Sequence, residues 1–333
     1  MDMETEKVSG IENCYPKMDA SARLSIIGDC LLMFLSIQAG PRRKNTRLGQ
    51  FGWLLGLLAA ISSPCFVAHA QPTTPQQLVQ QVIDNELVAT QNDHSLWMYR
   101  DAYRSPNKNL VKLVVETSQG TISRTIQMDG HPLTQQQQQL DQSKMLSVVN
   151  DPAVRARQRK NSAHDDQQSV SLMKILPRAF LWTETGESNG EIALHFQPNP
   201  AYQPPTYASR VFAAMAGRMV VDAKQKRLKV LSGKLIHPVE FGWGLFGKLE
   251  QGGTFHVVRS EIAPGIWQIT QTHVHIEGRA LIFKSIGEQE DEVSSNFKPT
   301  PPSLTLEQAY QRLINGAIAR DLGLTQEGVA QKQ

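Results

Sequence analysis

The sequence predicts an α+β fold: a strongly curved antiparallel β-sheet with helices on its concave side and a helical insertion. Three observations predict it. Residues 217–286 read as consecutive strands (218–222, 228–235, 254–262, 265–277 and 279–286) punctuated by Gly, Lys and Pro. Within the fourth of these, Trp267 and Ile269 are apolar at odd positions and Val274 and Ile276 at even ones. The buried face therefore changes parity near residues 270–272, as it does at a bulge or sharp bend, or where the two ends of a strand are covered on opposite sides. Thirdly, Thr74-Pro75-Gln76-Gln77 and the Thr305 to Gln308 pair place a hydroxyl N-cap three residues before a glutamine, ahead of helically spaced apolar residues.

At the N-terminus, Arg42, Arg43, Lys44 and Arg47 precede an apolar run over 51–67, and Ala68-His69-Ala70 follows. This is the order of a secretory signal, with the cut expected between Ala70 and Gln71 and a periplasmic or secreted product. An uncleaved anchor is the alternative, since about 17–20 apolar residues can span a bilayer; Ser62-Ser63-Pro64 interrupts the run and favours cleavage. The acidic stretch before Arg42 and the short apolar run over 31–37 are foreign to a signal peptide and point to an over-extended start, with Met33 one candidate for the true one. Asn45 spoils a twin-arginine signal, and Pro64 before Cys65 spoils a lipidation site.

All three cysteines, Cys14, Cys30 and Cys65, precede the expected cut. The mature protein thus lacks disulfides, thiolate metal sites and cysteine nucleophiles. Removing the seven basic and six acidic residues of the leader leaves 27 against 25. That balance gives no electrostatic footprint for nucleic acid as a partner.

The mature chain reads as one domain over 71–325 with a frayed tail over 326–333. A helix opens it, with Leu78, Val82 and Ile83 on one face. Residues 94–104 alternate with apolar side chains on both faces, which suits a strand covered on both sides. Strands over 109–117 and 121–128 form a hairpin around Ser118-Gln119-Gly120. Composition then shifts to Gln, Lys, Arg and Asp over 133–176, where Leu140, Met145, Leu146 and Val149 are spaced as a helical face. Two or three inserted helices are expected, ending at Pro177, and their basic residues read as a solvated face. Strands resume over 180–185 and 191–197. A proline-stiffened connection (198–205) leads to a short helix over 207–216, with Gly217 at its left-handed C-terminal position. A helix over 305–321 closes the domain.

No nucleophile elbow, zinc helix, phosphate loop or dinucleotide fingerprint occurs, and no catalytic residue or cofactor is expected. His273 and His275 share one face of a strand and are weak metal candidates with Glu277 or His256; two ligands two apart usually mark a polar strand face. A curved sheet closed by helices leaves an apolar concavity, and Trp97, Tyr99, Phe196, Phe241, Trp243, Phe246 and Trp267 are the candidates to line it. Glycines interleave the last-but-one group, Phe241-Gly242-Trp243-Gly244-Leu245-Phe246-Gly247, so a mobile apolar flap is expected there.

The secretory signal, the opening helix, the meander, Gly217-Arg-Met-Val-Val-Asp222 with Arg227-Leu228-Lys229-Val230, and Gly265-Ile266-Trp267 leading to Gly278-Arg279-Ala280-Leu281 together resemble the outer-membrane lipoprotein-sorting superfamily, the LolA/LolB-type periplasmic carriers. The resemblance is diffuse and covers residues 76–297; uncharacterised secreted proteins share the proline connection and the glycine-aromatic patch. It implies a half-open barrel whose apolar interior accepts acyl chains; a lipid or acylated protein is the expected partner, with peripheral or transient membrane contact. The helical insertion departs from that family. The expected function is therefore non-enzymatic binding or carriage, ahead of an envelope scaffold with a solid core and, third, a secreted hydrolase using His273 and His275.

Overall fold

The computed structural model describes residues 74–241, 247–280 and 284–324. The expected leader, its cleavage site and the 326–333 tail lie outside the described residues.

Helix α1 (Pro75–Asn92) starts where the capping signal places it: the Thr74 hydroxyl accepts from the Gln77 N–H, and the Gln77 side chain accepts from the Thr74 N–H. A first meander follows, β1 (Trp97–Ser105), β2 (Lys108–Thr117) and β3 (Gly120–Met128), with the two-residue β4 (His131–Pro132) at its edge. After helices α2 (Gln135–Asn150) and α3 (Pro152–Ala179) comes a second meander, β5 (Phe180–Ser188), β6 (Glu191–Pro198), β7 (Met215–Asp222) and β8 (Leu228–Leu235), with α4 (Tyr207–Ala213) between β6 and β7. Strands β11 (Thr254–Ala263), β12 (Ile266–Ala280) and β13 (Lys284–Pro299) complete the sheet, and α5 (Leu306–Ile314) and α6 (Ala317–Asp321) end the described chain.

All pairings are antiparallel, in the order β4-β3-β2-β1-β13-β12-β11-β8-β7-β6-β5. The last three strands thus lie between the two meanders and join them into one curved, unclosed sheet. Short strands β9 (Val239–Phe241) and β10 (Gly247–Leu249) pair with each other, and β10 pairs with the end of β12.

This topology gives the helical segment a different role from an insertion on one edge. It connects β4 at one edge to β5 at the other. Laid flat, the ten inter-strand steps would make about 48 Å at about 4.8 Å each. The 28 residues of α3 make a rod of about 42 Å, long enough to cross most of that width in one element. The helices are a strap across the sheet.

Alternate residues of β1 identify what covers each face. Tyr99 and Tyr103 belong to the inner face, in register through Glu292 and Thr272 with Val257. That face carries the main core, where Leu78, Val82 and Ile83 of α1, Leu172 and Leu176 of α3 and Val211 and Phe212 of α4 meet Leu194, Phe196, Met219, Leu231, Phe255 and Val274. Met98, Leu113 and Val115 face the other way, and α5 and α6 cover them with Tyr310, Leu313 and Ile318. Helices therefore lie on both faces at the N-terminal end of the sheet, which explains the apolar residues on both faces of β1.

The parity change in β12 is a bulge. Val258 pairs with Gln271 and Arg259 with Ile269, which leaves Thr270 as the extra residue. The bulge restores phase, so Trp267 and Ile269 on one side of it and Thr272, Val274 and Ile276 on the other all face inward.

Several expectations change. Leu140, expected on a buried face, is 49 % exposed, and α2 is held through Met145, with Leu146, Val148 and Val149 packed against the same cluster. Helix α3 continues through Pro177 to Ala179. Gly217 is not a helix cap but a residue of β7, opposite Gly233. The closing helix is two, broken at Gly316 with φ 74°. The strand expected over 279–286 belongs at its start to β12 and at its end to β13, and residues 281–283 lie outside the described residues.

Candidate functional site

The first half of the site comes from α1. Its apolar stripe, Leu78, Val79, Val82 and Ile83, continues on the same face to Glu86, which is 0 % exposed. A carboxylate at the next turn of a buried stripe must be paired or it would neutralise. Two arginines meet it. Arg227, leading into β8, donates from Nε to Glu86 Oε1 at 2.9 Å and from Nη2 to Oε2 at 3.1 Å. Arg259 of β11 donates from Nη1 to Oε2 at 2.5 Å, and the Leu228 N–H donates to Oε1 at 2.8 Å.

Burial alone would push the Glu86 carboxyl up; the charges of Arg259 and Arg227 and the hydrogen bonds from Arg227 and Leu228 overcome it and hold the group below its ordinary value. Burial likewise pulls the Arg259 guanidinium down, opposed by Glu86 and reinforced by the like charge of Arg227. One carboxylate is shared by two guanidiniums, and Asp93 also acts on Arg259. Arg259 Nη2 donates to the Trp267 carbonyl at 3.0 Å, but its buried Nε has no partner among the described residues.

Trp267 completes the group. The Arg227 guanidinium lies over its ring at 5.8 Å from the centroid, and its indole Nε1 donates to Gln225 Oε1 at 3.0 Å. Beside these residues is a cavity of about 380 Å³. The sheet contributes Arg227, Arg259, Ile266, Trp267 and Gln268, the C-terminal end of α1 and the turn after it Ala89, Thr90, Asn92, Asp93 and Ser95, β2 contributes Glu116 and α3 contributes Asp166. A second cavity of about 190 Å³ lies further along the inner face, where Tyr99, Asp101, Lys112 and Glu292 meet Lys144 of α2 and Gln158 of α3.

Asp166 is half-buried, and burial together with the neighbouring Asp165 pushes its carboxyl up to about 6. The folded state therefore holds this proton more tightly than the unfolded chain. Its contribution to stability is present at low pH and is lost as the pH rises from the ordinary carboxyl range through about 6. Asp166→Asn is expected to be more stable than the wild type at pH 7.5 and to lack this part of the wild-type gain on acidification to pH 5. Urea unfolding at the two pH values checks it.

Of the aromatic residues expected around a concavity, Trp267 lines the larger cavity and Tyr99 the smaller. Trp97 is buried beside Tyr99 and Val114, with its backbone N–H donating to Glu116 at 2.9 Å and its indole to Ser95 at 2.7 Å, so it braces the cavity wall from behind. Phe196 requires correction. It is 1 % exposed and packed with its ring centroid 4.6 Å from that of Phe180 and 5.2 Å from that of Trp182, inside the main core. Trp243 and Phe246, and with them the expected flap, lie outside the described residues, as does the side chain of Phe241; the backbone of Phe241 pairs with Gly247.

His273 and His275 lie on the opposite face of β12 from Val274, both part exposed. His273 is hydrogen-bonded to Asp291, and His275 Nε2 lies 3.1 Å from Glu277. His256 is opposite His273 in register, and burial, then Arg218 and His273, pull it below the ordinary histidine value. Among the described residues no three His, Cys, Asp or Glu side chains converge as a metal site.

Sequence reasoning missed Glu86, Arg227 and Arg259 as a unit, although two signals were present. Glu86 interrupts an otherwise apolar helical stripe, and Arg259 occupies the inward position that follows Phe255 and Val257. Comparison with protein-family models, curated proteins and solved structures finds no match.

Proposed function

We propose that this chain is a non-enzymatic binding or carrier protein of the periplasm or extracellular space, which takes a lipid, or the acyl chain of a lipidated protein, between the inner face of the sheet and helices α1 and α3. The observation that carries this reading is the cavity of about 380 Å³ at Trp267, with Ala89, Ile266 and the indole as its apolar side and the arginine pair beside them. An amphiphile matches such a lining at both ends. The most buried carboxylate at the site is a poor general base, since four donors occupy its oxygens and its pKa is lowered. Carriage is also what the resemblance to the LolA/LolB-type proteins implies.

Ala89→Trp tests it, because the added indole fills the cavity from α1 without removing a contact. Native mass spectrometry of protein purified from a lipid-replete periplasm should show acyl lipid on the wild type and about tenfold less on the variant, a difference of about 1.4 kcal/mol. Wild-type protein that emerges only in the apo form sinks the proposal.

A second reading, an envelope scaffold, is favoured by the solid packing of the other half of the sheet, where Phe180, Phe196, Trp182 and Phe212 fill the inner face. Crosslinking in the envelope distinguishes it, as a scaffold captures protein partners whether or not Ala89→Trp fills the cavity.

A further inference from the structure

We infer that the cavity at Trp267 selects a zwitterionic head group of the ammonium–phosphate kind, an inference that rests on the carrier reading for the chemistry attached to that group. The cavity is lined by charges of both signs. The cations are Arg227, which leads into β8, and Arg259 of β11. Glu86 is shared between them, and Asp93 also acts on Arg259. Arg227 spends Nε and Nη2 on Glu86, and Arg259 spends Nη1 on Glu86 and Nη2 on the Trp267 carbonyl, so Arg227 Nη1, with only a 3.4 Å bond to the Gly265 carbonyl, is the donor left for an anion such as a phosphate oxygen.

Asp166 and Asp93 bring carboxylates from the helical side, and Glu116 brings one from β2. Asp166 of α3 makes neither a hydrogen bond nor an ion pair among the described residues, and burial and the like charge of Asp165 are what act on it. Asp93 sits at the C-terminal end of α1, where the helix carries partial negative charge. It accepts from the Ser95 N–H at 2.9 Å and from Gln268 Nε2 at 3.3 Å, which fixes it in the wall. Glu116 accepts from the Trp97 N–H at 2.9 Å.

The balance of signs decides the ligand. Two arginines face three lining carboxylates, with Glu86 beneath. A purely anionic ligand would be repelled by Asp93, Glu116 and Asp166, and a purely cationic one would have to lie beside two guanidiniums. A ligand bearing both charges a few bonds apart places each against its opposite, with Trp267 and Ile266 left for the apolar part.

Isothermal titration of the mature protein at pH 7.5 separates the possibilities, using dihexanoyl phosphatidylethanolamine, dihexanoyl phosphatidylglycerol, a dihexanoyl trimethylammonium lipid and glycerophosphoethanolamine without acyl chains. The ethanolamine lipid should bind about tenfold or more tighter than either singly charged lipid. Asp166→Asn, which removes an unpaired carboxylate and so leaves the fold intact, should weaken the ethanolamine lipid and not the glycerol one. Glycerophosphoethanolamine binding as tightly as its acylated form would uphold the zwitterion while making the source a soluble molecule, and so sink carriage alone. Equal affinity for the three lipids would overturn the head-group inference and leave carriage standing. No binding by any of the four would overturn both.

Discussion

Glu86→Ala is expected to lower the unfolding free energy by about 3–5 kcal/mol, the cost of leaving buried charge without its counter-ion. The variant keeps Arg227 and Arg259 where they are, both buried, with no acceptor for the three guanidinium N–H groups and the Leu228 N–H that Glu86 now satisfies. Urea unfolding at pH 7.5 measures the loss. Its pH dependence supplies a second check. The Glu86 carboxyl is held below its ordinary value, so its stabilisation is fully present above the ordinary carboxyl range and is lost as the pH falls through the lowered folded value. The gap between wild type and Glu86→Gln should therefore be wide at neutral pH and close in strong acid. A gap that stayed constant down to low pH would mean that packing, not charge, is what Glu86 contributes.

The triple replacement of Glu86, Arg227 and Arg259 by methionine separates stability from function. Removing the whole buried set avoids stranded charge, and such replacements are often neutral or stabilising. If the triad serves only the fold, the triple variant keeps its ligand. If the arginines anchor a head group, it folds well and binds poorly. Charged groups that a well-packed apolar set could replace, placed against a cavity, are a sign that the site and not the fold requires them.

The curvature of the sheet was legible because a bulge leaves a trace in the sequence. Trp267 and Ile269 fall out of phase with Val274 and Ile276, and an extra residue at Thr270 is the local event that produces it. The helix starts at Thr74 and Thr305 were legible for a similar reason, since each threonine accepts from the N–H three residues on; Thr134 does the same at the start of α2. What could not be read was long-range. Nothing local tells that the last three strands insert between two meanders, or that β13, with its Glu290 and Asp291, is a strand at all. Its charged residues are tolerated by pairing across the sheet: the Tyr103 hydroxyl meets Glu290 at 2.5 Å and His273 meets Asp291. The site was hidden in the same way, because Glu86 lies 141 residues from Arg227 and 173 from Arg259. Composition around each arginine looks like an ordinary strand.

Phe196→Ala is expected to cost about 3–5 kcal/mol and to leave ligand occupancy unchanged, the reverse of what a cavity-wall aromatic would do. Across four neighbouring strands, Phe196, Gly217, Gly233 and Phe255 stand in one row. The two glycines leave a trough, and the rings lean into it from both sides. A Cβ on Gly217 would lie 2.8 Å from Phe196 Cζ, and one on Gly233 2.5 Å from Phe255 Cε1. The phenylalanines thus fill over the glycines what side chains on β7 and β8 would otherwise fill, and truncating one empties a space that a rigid, hydrogen-bonded pair of strands cannot close. Gly217→Ala does not repair it. Its Cβ would still lie 2.0 Å from the Ser232 carbonyl oxygen and 2.7 Å from Gly233 Cα, both backbone. The double variant should accordingly be less stable than Phe196→Ala alone, by about 1–3 kcal/mol for the forced shift. A double variant that recovered stability would show that the trough exists to admit the ring. One that lost more would show that Gly217 is fixed by the close approach of β7 and β8, the role the register assigns to it.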